Sequence, residues 1–137
     1  IIMNDVEAAV HLVGTAKVYK DIFKVDVEHI LQQVLPPIKL NQYRVFRRGD
    51  RPFAYTSWAF MDTESANKFK QTGVVENESW WNNGKHIWHM DTICNEGDIL
   101  TLHRWTQRNL AEQVGDKKKI NWIRLGQDKF GQPKVKT

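Results

Sequence analysis

Two β-rich runs, Gln42–Arg48 and Phe53–Met61, are joined by only Gly49-Asp50-Arg51-Pro52. A link this short, with a glycine in it, returns the second run antiparallel along the first, so the chain must contain a hairpin and cannot be an all-helical bundle. A third run, Lys85–Asn95, alternates as a strand, with His86, Trp88 and Met90 on one face and Ile87, His89, Asp91 and Ile93 on the other. Ile120–Leu125 and an edge strand near 131–136 are expected to complete a central mixed sheet.

Helices are predicted around these strands. Asn4 and Glu7 read as a capping box for a helix with Val6, Ala9, Val10 and Val13 on one face, ended by Gly14. Asp26 caps a helix near 26–35 with Val27, Ile30, Leu31 and Val34 in register, and Pro36-Pro37 is expected to stop it. Asp62 caps a helix over Thr63–Gln71 that ends at Gly73, and Gly97-Asp98 opens a long one reaching Gln113. The order α-α-β-β-α-β-α-β-β is that of a mixed α/β (α+β) fold. No repeat or linker interrupts it, and 137 residues suit one domain over 1–137.

Composition narrows the function classes. Residues 103–137 hold nine Lys/Arg against three acids, so the formal charge of +4 is concentrated in the last quarter. Such a surface suits an acidic partner (nucleic acid, phosphate or an acidic protein) or is simply a solvated face. The six tryptophans are expected in the core, except that Trp80-Trp81, next to the turn signal Asn82-Asn83-Gly84, is expected to be partly exposed. No run of about 18 apolar residues predicts a membrane span, and residues 1–5 lack the pattern of a signal peptide, so a cytoplasmic protein is expected. Cys94 is the single cysteine, and the five histidines lack ligand spacing, so neither a disulfide nor a metal site is expected. Gly-rich phosphate loops and Gly-x-Ser-x-Gly are also missing.

Asp91 does not fit its surroundings. A carboxylate in mid-strand, sharing a face with Ile87 and Ile93, needs compensation. Backbone amides or an arginine could supply it, or the carboxylate could orient an imidazole. His89, two residues away, would leave the strand on the same side, with Cα atoms roughly 7 Å apart.

Four stretches carry a family resemblance: Val34–Tyr43, Pro52–Ala59, Trp88–Asp91 running on to Gly97-Asp98, and Ile123–Leu125 running on to Val135. In order and spacing they resemble the RTX toxin-activating lysine acyltransferases over about residues 10–137. The resemblance implies an acetyltransferase-like (GNAT-type) fold without the usual coenzyme A loop. It further implies transfer of a fatty acyl group from acyl carrier protein to internal lysine ε-amines of a protoxin, no tightly bound cofactor, and a homodimer. The family's strand aspartate maps onto Asp91. Its histidine maps onto Tyr19, and the adjacent serine onto Ala16. Histidine suits proton removal near neutral pH, whereas a phenol near pKa 10 suits donation to the leaving thiol. His89 is therefore the candidate base and Tyr19 the candidate proton donor. Arg104, Arg108, Lys117, Lys118 and Lys119 are the candidates for meeting the carrier protein. The alternative is a non-catalytic module that binds protein or nucleic acid through Lys117–Lys119 beside Trp105 and Trp122.

Overall fold

The computed structural model describes residues 4–15, 27–73, 75–94, 99–113, 120–122, 124–127 and 133–136. Helix α1 (Asp5–Thr15) opens as its sequence predicts, with Asn4 Oδ1 accepting from the Glu7 N–H at 2.9 Å. Gly14 lies inside its last turn, and Thr15 extends it by donating its hydroxyl to the His11 carbonyl at 2.9 Å. Helix α2 (Val27–Lys39) does not stop at Pro36-Pro37 but runs through both. Proline's fixed φ suits a helix, and the missing amides leave without a helical donor only the carbonyls of Gln32 and Gln33, which lie on the exposed to half-buried side. The carbonyls of Pro36 and Pro37 in turn accept from Leu40 at 3.1 Å and Gln42 at 2.8 Å. The expected caps Asp26 and Gly97-Asp98 lie outside the described residues.

Strands β1 (Tyr43–Arg48) and β2 (Arg51–Met61) form the expected antiparallel hairpin. Its turn is only Gly49-Asp50, with Gly49 at φ 60, so β2 starts two residues earlier than expected. A register shift between Phe46 and Arg47 accommodates Pro52, which has no amide for the ladder. The Tyr43 hydroxyl donates to Asp5 at 2.6 Å and Arg47 donates to the same carboxylate at 2.9 Å, tying β1 to the start of α1. Helix α3 (Thr63–Thr72) is capped by Asp62, which accepts from the Ser65 N–H at 2.7 Å, and closed by Gly73 at φ 71. Strand β3 (His86–Cys94) pairs antiparallel with β2, and α4 (Ile99–Gln113) crosses over to β4 (Asn121–Trp122), parallel to β3.

The central sheet has the order β1-β2-β3-β4. The expected strand Ile120–Leu125 divides. Of its described residues, Asn121 and Trp122 pair with β3, while β5 (Arg124–Gln127) pairs with β6 (Pro133–Lys136) in a separate hairpin. Strand alternation on β2 assigns the packing. Tyr55, Ala59 and Met61 face α1, α2 and α3, whereas Trp58 and Phe60 face α4 through Leu110.

Trp80 and Trp81 correct an expectation. They belong to the short 3₁₀ turn Glu78–Trp81, which folds beneath the sheet, and Trp81 is 1% exposed. Gln42 fixes the turn by donating to the Trp81 carbonyl at 2.9 Å and the Trp58 carbonyl at 3.0 Å. The chain then passes so close to β2 that a Cβ at Gly84 would collide with the Met61–Asp62 backbone.

Candidate active site

The centre of the β2–β3 ladder is irregular. Thr56 pairs with Thr92 and Trp58 with His89, so Met90 and Asp91 together oppose the single residue Ser57. A bulge of this kind shifts the alternation by one residue. His89 and Thr92 consequently share the α4 face, whereas Asp91 turns with Ile93 toward the opposite face, where Ile93 packs against Tyr55. The expected same-side pair of His89 and Asp91 is therefore not formed, because two strand positions cease to mean one face once a bulge lies between them.

His89 is held by hydroxyls. The Thr56 hydroxyl donates to the Asp91 carbonyl at 2.9 Å, so its oxygen is left to accept from His89 Nε2 at 2.6 Å. Thr92 Oγ1 lies 2.8 Å from the same nitrogen. This network assigns the proton to Nε2. Nδ1 is then a buried lone pair with no hydrogen-bond partner among the described residues. The His103 ring of α4 stacks on His89 with centroids 4.8 Å apart. Burial, with His103 as a second cause, lowers the His89 pKa to about 3. The ring is neutral at physiological pH and a poor proton acceptor there, so its environment suits bracing the bulge better than taking up a proton.

This has a pH consequence. Above pH 6.5 His89 is neutral both folded and unfolded and adds no dependence. Between about 6.5 and 3 only the unfolded chain takes up the proton, so stability falls as pH falls. The slope expected from one such proton approaches about 1.4 kcal/mol per pH unit. Urea unfolding between pH 4.5 and 6.5 measures it, and His89→Gln should flatten the slope. An equal slope in the variant would place the proton elsewhere.

Asp91 is 7% exposed, and its N–H donates to Ser57 Oγ at 3.4 Å. Its negative charge reaches the Tyr55 hydroxyl, whose pKa is raised first by burial and then by that charge. Tyr55 therefore stays protonated. A carboxylate beside a permanently protonated phenol can attract an ammonium group or accept a proton, with hydroxyl groups at hand to fix an amine.

Of the other expected site residues, Arg104 and Arg108 are described, and these two do not gather here. Arg104 and Arg108 lie on the exposed side of α4, around an open hollow of about 640 Å³ that they share with Thr101 and Gln107. Tyr19, Lys117, Lys118 and Lys119 lie outside the described residues. The sequence alone does not single out Thr56, Ser57, Tyr55 or His103. The available signal was the polar pair Thr56-Ser57 at the middle of an otherwise apolar strand, opposite the one misplaced carboxylate. Among the described residues no group of three or more His, Cys, Asp or Glu converges on a metal position, and no helix is long and apolar enough to cross a membrane.

Comparison with known proteins places the chain in a family. The chain is 32% identical over 83 residues to the protein-lysine myristoyltransferase HlyC of Escherichia coli, covering 59% of this chain and 48% of that protein. It is 32% identical over 90 residues to the protein-lysine palmitoyltransferase CyaC of Bordetella bronchiseptica, covering 64% and 49%. It is 30% identical over 90 residues to the RTX-II toxin-activating lysine-acyltransferase ApxIIC of Actinobacillus pleuropneumoniae, covering 65% and 56%. The aligned stretches thus span about half the length of the curated relatives. Residues 6–137 match the family described as RTX toxin acyltransferase, and the chain belongs to that family.

Proposed function

We propose that this chain moves an acyl group from the thioester of acyl carrier protein to a lysine ε-amine of a protein acceptor. The observation that carries the reading is Asp91, a carboxylate turned by a bulge toward Tyr55 and Ser57, in a chain that matches the toxin acyltransferase family over 6–137. Three relatives named as protein-lysine or lysine acyltransferases support it. In this reading Asp91 draws in the lysine ammonium and accepts its proton. The freed amine attacks the thioester carbonyl, the carbon–sulfur bond breaks, Tyr19 protonates the leaving thiolate, and the second proton shed by the nitrogen as the amide forms restores the Tyr19 phenol. Thr56 and His89 hold the bulge. Arg104 and Arg108, with Lys117, Lys118 and Lys119, meet the acidic carrier protein. The mixed sheet with its β3–α4–β4 crossover supports a GNAT-type architecture.

The exposure of Arg104 and Arg108 around the open hollow on α4 is the observation behind a second reading, a non-catalytic module that binds protein or nucleic acid. One experiment separates the two. The protein is mixed with acyl carrier protein bearing a labelled acyl group and a lysine-containing acceptor, and release of the free carrier thiol is followed at increasing salt, with single-stranded nucleic acid titrated in parallel. Transfer that weakens with salt is expected, since exposed charges are screened beyond about 8–10 Å at physiological ionic strength. No thiol release, together with salt-sensitive binding of nucleic acid, would establish the second reading.

A further inference from the structure

A hollow of about 480 Å³ opens between α2 and the stretch 75–81. It lies on the same side of the sheet as Asp91, because both α2 and the Trp81 turn pack on the face that carries Tyr55 and Ala59. Leu31, Leu35 and Val75 give it an apolar lining, while Glu28, Glu76 and Glu78 bring three carboxylates to it. Lys39 is the one cation among its described lining residues. It lies 3.9 Å from Glu78 with both side chains about two-thirds exposed, a loose pair across the rim. By its described lining the hollow is acidic, on a chain whose formal net charge is +4. That reversal of sign, combined with aliphatic surface, is complementary to a segment in which lysines alternate with aliphatic side chains.

We propose that this groove holds a lysine-bearing segment of the acceptor polypeptide, its cations on Glu28, Glu76 and Glu78 and its aliphatic residues on Leu31, Leu35 and Val75. That the occupant is the acceptor rests on the lysine acyltransfer reading, whereas the charge and lining of the groove stand apart from it. An exposed carboxylate in such a contact contributes modestly and through salt-sensitive attraction, so affinity should be spread over the three glutamates.

The test uses the full chain and a fluorescein-labelled peptide of alternating lysine and leucine, with a glutamate–leucine peptide for comparison. Fluorescence anisotropy should show binding of the lysine peptide alone. Glu76→Gln with Glu78→Gln should weaken it about tenfold, and raising salt should do the same. Glu64→Gln with Glu112→Gln, an equal change of charge elsewhere, should leave the affinity within about twofold. Equal binding of both peptides, or indifference to the Glu76 and Glu78 substitutions, overturns the proposal. Displacement of the peptide by a fluorescent fatty acid would reassign the groove to an acyl chain. A dimer that the same two substitutions dissociate would reassign it to a second copy. Either result also overturns the proposal. Acyl transfer is measured on the same variants. Transfer by the wild type without selective peptide binding removes the groove and leaves the activity, and selective binding without transfer does the reverse.

Discussion

Asp91→Asn is expected to lower the rate of acyl transfer by about 10²–10⁴, the usual cost of losing a group that handles a proton in the transition state. The asparagine matches the carboxylate in shape but cannot accept a proton or attract an ammonium group. The fold should survive, because the bulge is held by the backbone carbonyl and N–H of Asp91, through Thr56 and Ser57, and both remain. Urea unfolding of the variant should therefore stay close to wild type while turnover collapses. Asp91→Glu keeps the charge but displaces it by one methylene toward Tyr55, and should restore only part of the rate. Wild-type turnover in Asp91→Asn would remove the carboxylate from the mechanism, and a collapse of stability would make its role structural.

Trp81→Ala should cost about 3–5 kcal/mol of folding stability, as deletion of a fully buried large aromatic usually does. Its side chain is 1% exposed and packs with Met61, Phe69, Trp80 and Trp88 beneath the sheet. Gln42 still clamps the backbone at residue 81, so the site cannot readily collapse to fill the space. Trp81→Phe should lose much less. Equilibrium unfolding in urea measures both, and a cost below about 1 kcal/mol for the alanine variant would mean that the 3₁₀ turn is not part of the core.

The elements legible in the sequence were those fixed by local chemistry. The Asn4 and Asp62 caps, the αL glycine at 73 and the Gly49 turn all act through the backbone of a few neighbouring residues, and each does locally what its sequence implies. Three features are not legible there because burial, strand pairing and the path of the following chain decide them. The helix passes Pro36-Pro37 because the two carbonyls left without donors sit on its outer side and the next turn is fastened by Leu40 and Gln42. Trp80-Trp81 is buried because a glutamine 39 residues earlier holds the Trp81 carbonyl. The face of Asp91 likewise depends on strand pairing. Period-two alternation is reliable only while the ladder is regular, and the bulge opposite Ser57 is set by the β2–β3 register. Asp91 was recognisable as anomalous from its isoleucine neighbours alone. Its companions Tyr55 and Ser57 became visible only when the strands were paired.

The most direct measurement is mass spectrometry of a lysine-containing acceptor after a single turnover with acyl carrier protein carrying an isotopically labelled acyl group. An acyl group on a lysine of the acceptor is expected, stable to hydroxylamine as an amide must be, formed by the wild-type protein and lost with Asp91→Asn. Acceptor lysines that remain unmodified with the wild type, while the carrier protein keeps its acyl group, would contradict this expectation.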